Sequence, residues 1–375
     1  MAKHVYLVAD NIFSPLGDTT AVNFVSIRKG ISGVQVHDRP DLSDVQLAAS
    51  LFPKERQILS SNVNYTKFEQ LLIASVQQAL SGTGIDPKSS TTGLIISTTK
   101  GNISLLETND NTAELQQRIS LNTSAKLVAD YFGFGTQPII ISNACISGVM
   151  AIITAARLIK SGVYQSVVVT GADVVSKFVV SGFQSFQALS SERCKPFDAS
   201  RNGLNLGEGA ATVILSGDEK YAGYIRITGG AVSDDANHIS GPSRTGEELE
   251  FAIQQAMNEA ELASCDIDTI SAHGTATPYN DDMEAKAITN AGLQHVPTVG
   301  VKAFYGHTLG AAGLIESILA AESMRHSLIT ATLGFEETGT SPISINTTNK
   351  TAEIKHALKT ASGFGGCNAA LILSK

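Results

Sequence analysis

The chain of 375 residues has no tryptophan, four cysteines and only 17% charged residues. Cys145, Cys194, Cys265 and Cys367 lie far apart without a C-x-x-C pair, which argues against a zinc knuckle or a disulfide framework. A reducing cytosol suits this cysteine usage, so a cytoplasmic protein is expected. No apolar run approaches the ~20 residues that span a bilayer. The first such stretch, residues 5–9, is broken at Asp10, so neither export nor membrane insertion is expected. A formal net charge of −8 argues against broad charge-driven binding of nucleic acid or anionic lipid, while a local basic patch would still accept an acidic carrier. No low-complexity linker divides the chain.

What is present is 43% hydrophobic content, 33 glycines and short β-branched runs that alternate with helical periods, the pattern of an α/β layered core. Strands are predicted over residues 5–9, 94–98, 139–142, 166–170 and 211–216, then 223–228, 268–272, 298–302, 355–361 and 369–373. Helices are predicted over 66–80, 146–160, 247–263, 281–291 and 309–325, with Gly162 and Gly292 placed as C-terminal caps. Two segments share a design though hardly any letters: a strand, a reactive residue, then a small-residue helix, once at Cys145 and once at His307. This suggests duplicated βαβ units packed into one five-layered body.

Four places carry chemistry. Cys145 follows an apolar run and opens a segment whose Val149, Ile152, Ile153, Ala156 and Ile159 fit a helical period. A thiol there meets outward-pointing backbone N–H groups, and the helix dipole would draw its pKa from about 8.5 towards neutrality. The alternative is a small buried residue. His273 ends a strand and is followed by Gly274, Thr275, Thr277 and Pro278, as active-site loops are built; it could equally be satisfied by local hydroxyls. His307, after Gly306 and before an Ala/Gly-rich helix, would be held neutral by the helix N-terminus, or would simply cap it. Gly363, Phe364, Gly365, Gly366, Cys367 and Asn368 form a glycine-rich turn that reads alternatively as a flexible hairpin.

Read in order, these pieces resemble the β-ketoacyl-acyl carrier protein synthases, the condensing enzymes of the thiolase superfamily. The series runs from Ser14-Pro15-Leu16-Gly17 through Cys145, Lys195-Pro196-Phe197-Asp198 and Leu206-Gly207-Glu208-Gly209-Ala210. It continues with His273-Gly274-Thr275, Thr277-Pro278, Asp281 with Glu284, Lys302 with Gly306-His307, and Gly363-Phe364-Gly365-Gly366 with Asn368. The resemblance implies a thiolase-like α/β fold of duplicated βαβαβ halves in an α-β-α-β-α core. Residues 1–230 would form the half with the nucleophile and cap insertions, and 231–375 the half with the histidines. It further implies Cys145 as nucleophile facing His273 and His307, with an oxyanion hole from the amides of Cys145 and Phe364. Lys302 would disfavour protonation of the imidazoles and pair with Glu284. Thr275 and Thr277 would line the channel for a pantetheine arm, and Gly363 and Gly365 would let Phe364 swing as a gate. No cofactor or metal is expected, Asp281, Asp282 and Glu284 being structural.

The activity implied is transfer of an acyl group to Cys145 and decarboxylative Claisen condensation with malonyl-carrier, in a specialised fatty acid, polyketide or aryl polyene pathway. Expected partners are acyl carrier protein bearing acyl and malonyl groups, and a second chain, forming either a homodimer or a heterodimer with a related ketosynthase. Two other readings are a noncatalytic chain-length-factor-like subunit and a cysteine hydrolase using one histidine. The chain departs from the family pattern in a stretch, residues 60–67, poor in basic residues for carrier docking, where only Lys67 stands out. Lys54, Arg56, Arg193 and Lys195 are the substitutes considered. Ser362 replaces the usual aromatic before Gly363, and residues 8–11 lack the usual glycines.

Overall fold

The computed structural model describes residues 4–59, 64–236 and 241–375. Its first sheet holds strands β1 (Tyr6–Phe13), β2 (Thr92–Ser97), β3 (Ile139–Ile141), β4 (Ser166–Asp173) and β5 (Gly209–Ser216). The second holds β6 (Arg226–Asp234), β7 (Thr269–Ser271), β8 (Thr298–Val299), β9 (His356–Ser362) and β10 (Cys367–Ser374). Spatial orders are β3-β2-β4-β5-β1 and β8-β7-β9-β10-β6, so each strand has its counterpart five places on. Strand sense repeats as well. β2 is parallel to β3 and β4, as β7 is to β8 and β9, while the last two pairings of each sheet are antiparallel. The two sheets join into one ten-stranded sheet where β1 meets β6, at Tyr6 and Arg226.

Parallel strands β2 and β4 are buried along their whole length, which is why β4 reads Ser-Val-Val-Val-Thr without polar alternation. Between the sheets lie two helices, α2 (Ser147–Lys160) and α6 (Ala312–His326). Every residue of α6 from Ala312 to Met324 is buried, so it is largely apolar on all sides instead of amphipathic, with Glu316 and Glu322 as its buried acids. Outer layers are α1 (Lys67–Leu80) on the first sheet, and α4 (Glu247–Glu259) on the second with α5 (Pro278–Asn290) packed against it. A further helix, α3 (Lys177–Ser185), stands beside the cavity described below. The five layers follow, with one apolar core between the sheets and another outside each. Gly162 and Gly292 take left-handed conformations just past α2 and α5, as their caps.

The middle helices cross at their N-termini. A β-carbon at Gly148 would stand 2.7 Å from the amide nitrogen of Leu314, and one at Gly313 would stand 2.6 Å from that of Val149. This backbone contact brings the start of α2 beside the start of α6, and so Cys145 beside His307. Gly148→Ala is expected to cost about 1–3 kcal/mol of stability, read as a lowered urea midpoint at unchanged slope.

Each predicted strand corresponds to one of the ten sheet strands, with one shortened. The run 298–302 forms a strand only over Thr298–Val299, and Lys302 instead opens a short helix, Lys302–Tyr305. Among the described residues no helix is long and apolar enough to cross a membrane.

Candidate active site

Cys145 stands at the turn from β3 into α2. Ala144 before it takes a positive φ of 43°, a strained conformation for a residue with a β-carbon. Ser147 holds the turn: its hydroxyl accepts from the Asn143 amide at 2.8 Å and donates to the Ala144 carbonyl at 2.6 Å. The strain lifts the sulfur towards a cavity of about 430 Å³ lined by Cys145, His273, His307 and Phe364.

His273 follows β7. Its amide and that of Gly274 donate to the two oxygens of Glu284 at 2.7 and 2.8 Å, and the Thr360 hydroxyl donates to the same carboxylate at 2.6 Å. Asp281 fixes the next residues: it accepts from the amides of Thr275 at 2.8 Å, Ala276 at 3.0 Å and Phe197 at 2.7 Å. Burial pushes its carboxyl up to about 6. Asp282 points away and pairs with Lys286 at 2.7 Å. Thr275 and Thr277, linked hydroxyl to hydroxyl at 2.8 Å, both line the cavity.

His307 is positioned through its backbone, its amide donating to the Asn205 carbonyl at 2.6 Å. Among the described residues neither ring nitrogen has a hydrogen-bond partner, although both are buried. The rings of His273 and His307 meet edge to face, centroids 5.3 Å apart. The Cys145 sulfur and one ring nitrogen each of His273 and His307 lie within 4.8 Å of one another. A thiol and two imidazoles are also a ligand set for a soft divalent cation. The outer partner of His273, however, is the ammonium of Lys302 at Nδ1, 3.1 Å away, where a metal-bound histidine ordinarily has an anionic or carbonyl acceptor. The donor set therefore suits proton chemistry better than a resident metal.

Lys302 is buried and does not pair with Glu284, as the sequence suggested. Its Nζ lies 2.7 Å from Glu316 on α6 and also donates to the His273 carbonyl. The reason is that Glu284 already accepts two amides and a hydroxyl, which leaves α6 to supply the counter-ion. Lys359, on β9, pairs with the other Glu316 oxygen at 2.8 Å. Glu316 and Lys359 were not singled out in the sequence; a lysine in an otherwise buried strand and a glutamate in the Ala/Gly helix were the available signals.

Electrostatics follow from this enclosure. Burial, then the Lys302 charge, holds His273 and His307 well below the ordinary histidine value, so both are neutral near pH 7. Cys145 departs from expectation. Burial pushes its thiol up to about 12, against a downward pull from Lys302, so it is protonated in the unliganded site. Desolvation outweighs the helix dipole because Cys145 is only 9% exposed. The histidines also set acid stability. Their folded pKa lies below the unfolded value, so the unfolded chain binds protons that the native state refuses as pH falls below about 6.5. The urea midpoint is expected to drop between pH 7.5 and 5.5, and to drop less in the His273→Ala/His307→Ala double variant.

The glycine-rich turn comes over the elbow. A β-carbon at Gly363 would stand 2.9 Å from both the Cys145 amide nitrogen and the Cys367 sulfur, so only glycine lets the two backbones meet. Gly365 has open space around it. Phe364 is 37% exposed and packs on Phe183 and Phe186 at ring separations of 5.8 and 5.2 Å. Ser362, at the aromatic's usual place, is buried and donates to Asn368 at 2.7 Å.

The residues considered for docking are mostly engaged. Lys67 lies 2.7 Å from Glu208, Lys54 3.3 Å from Asp41, and Arg56 pairs with Asp18, while Lys195 donates to Ser200. Arg193 is exposed. Of the stretch 60–67, residues 60–63 lie outside the described residues.

Comparison with known proteins gives the family and the fold. The profile of the β-ketoacyl synthase N-terminal domain matches residues 47–220, and that of the C-terminal domain matches 224–336. The 3-oxoacyl-[acyl-carrier-protein] synthase 2 of Staphylococcus aureus is 26% identical, covering 100% of this chain and 98% of that protein. The enzyme of the same name from Vibrio harveyi is 27% identical over 100% and 99%. Among solved structures, the ketosynthase in complex with its chain length factor from Xenorhabdus doucetiae is 25% identical, covers 99% of this chain and 98% of that one, and superposes with a TM-score of 0.87. The chain belongs to the β-ketoacyl synthase family, condensing transferases of thiolase-like fold.

Proposed function

We propose that the protein transfers an acyl group from a carrier thioester to Cys145 and extends it by decarboxylative condensation with malonyl-carrier. The observation that carries this reading is the convergence of one sulfur and two neutral imidazoles within 4.8 Å at a cavity wall. Since an ammonium has donors only, the contact with Lys302 makes Nδ1 of His273 an acceptor and puts the ring proton on Nε2. His273 is then a fixed donor, and the thiol proton goes to His307, whose ring nitrogens have no hydrogen-bond partner among the described residues. In the first step Sγ bonds the acyl carbon, the S–H proton passes to His307, and the departing carrier thiolate takes it up. In the second, malonyl carboxylate leaves as carbon dioxide, and the enolate oxygen accepts from both imidazoles. The enolate carbon attacks the acyl carbon, the bond from that carbon to sulfur breaks, and the departing Cys145 thiolate takes a proton from solvent, the one proton the overall reaction consumes. No strong base is needed, because decarboxylation itself supplies the carbanion.

In this reading the amides of Cys145 and Phe364 form the oxyanion hole, supported by the close approach of Gly363. Thr275 and Thr277 bind the carrier's pantetheine arm, and Phe364 gates entry. The halves 1–230 and 231–375 would supply nucleophile and donors respectively. A second chain is proposed to pair along β3: this strand is an all-isoleucine sheet edge, half-buried, with β2 on one side only. A related ketosynthase or chain length factor is the candidate besides a second copy, as in the Xenorhabdus doucetiae complex. Retention of Cys145, His273 and His307 together favours a catalytic over a noncatalytic subunit. The test is condensation by this chain alone and with a paired ketosynthase: product from the pair that persists when only this chain carries its cysteine supports the reading, and dependence on the other chain's cysteine alone removes it.

A further inference from the structure

The reaction outlined above makes no use of Lys359, yet this lysine is fully buried behind the histidines. Its Nζ lies 2.8 Å from Glu316 Oε2 and donates to the carbonyls of Ser271, at 3.1 Å, and Thr360. A lysine enclosed this way survives as a cation only with such partners, and burial still pushes it down. Glu316 is thereby shared, Oε1 with Lys302 and Oε2 with Lys359. The charged and titratable groups that face the imidazoles and Lys359 come from four further elements. They are Lys302 from the short helix, Glu316 from α6, Glu284 from α5 and Cys145 from the elbow. Two ammonium groups thus stand against two carboxylates. Without Lys359 the cluster would hold one cation and two anions, a net negative charge next to two rings that must stay neutral.

We propose that Lys359 is a positioning residue: by taking half of Glu316 it leaves Lys302 incompletely neutralised against His273, and so keeps both imidazoles unprotonated as hydrogen-bond donors. The inference rests on the proposed donor role of the histidines, but ring titration reads it without any activity assay, so failure of the synthase reading and failure of this one are separate results. The chain has eight histidines, and the full protein labelled at histidine would be titrated by NMR, with His273→Ala and His307→Ala assigning the two rings.

In the wild-type protein neither ring is expected to titrate between about pH 5 and 8. In Lys359→Met at least one is expected to enter that window, an upward shift of about one unit or more. The acid limb of malonyl-thioester decarboxylation would move up with it. Lys359→Met/Glu316→Gln restores one cation against one anion and is expected to return both rings to wild-type behaviour. Unchanged rings in Lys359→Met, or a ring titrating in the double variant, would overturn the proposal. Should Lys359→Met not fold, Lys359→Gln, which keeps a donor for the carbonyls of Ser271 and Thr360 while removing the charge, takes its place with the same ring expected to enter the window, and unchanged rings there overturn the proposal.

Discussion

Replacing Cys145 with alanine is expected to abolish self-acylation and to lower condensation by ~10³-fold or more. The sulfur holds the acyl group between two half-reactions, so no other group restores the path once it is gone. In the wild type, incubation with an acyl-carrier thioester should add one acyl mass to the peptide bearing Cys145. Cys367 is the natural control. It lies under the same glycine turn, but its thiol contacts the carbonyls of Asn143 and Phe364, 3.8 and 3.6 Å away, and it does not line the cavity. Label on the Cys367 peptide, or none on either with every acyl length tried, would count against Cys145 as acceptor.

The second large effect separates the two histidines. His273→Ala removes a donor whose proton is fixed on Nε2 by Lys302, so decarboxylation of malonyl-carrier is expected to fall by about 10²–10³, while self-acylation stays close to wild type. His307→Ala is expected to impair both reactions, because its ring receives the thiol proton as well as donating to the enolate. The proton transfer matters here because Cys145 rests as a thiol, pushed up to about 12 by burial, and is not a preformed thiolate. Stopped-flow acylation and carbon dioxide release, measured on both variants, would show the split. Equal loss of both half-reactions in His273→Ala would contradict the fixed-donor role.

Much of this architecture was legible in the amino-acid order because central strands such as β2, β4 and β5 are buried throughout and read as apolar runs. Cys145, His273 and His307 were legible for a related reason. Each sits at the end of such a run, where a glycine or small-residue helix follows. What escaped was set by convergence. Nothing near Lys302 in sequence says that Glu284 is already saturated by two amides and a hydroxyl, so its real counter-ion, Glu316, required α6 to be placed. Lys359 looked like one polar letter in a strand. The thiol was misjudged because a helix start is visible in sequence while the depth of its burial is not. Helix α3, which carries Phe183 against Phe364, has too little periodicity over nine residues to stand out.

The most direct test of the central claim follows the acyl group through one turnover. Protein acylated at Cys145 and freed of excess donor would be mixed with malonyl-carrier labelled with ¹³C in its free carboxyl group. The predicted result is one labelled carbon dioxide released for each acyl group lost from the Cys145 peptide, with an equal amount of β-ketoacyl-carrier formed. Loss of the acyl group as free acid, with the malonyl carboxyl still in place, would contradict it.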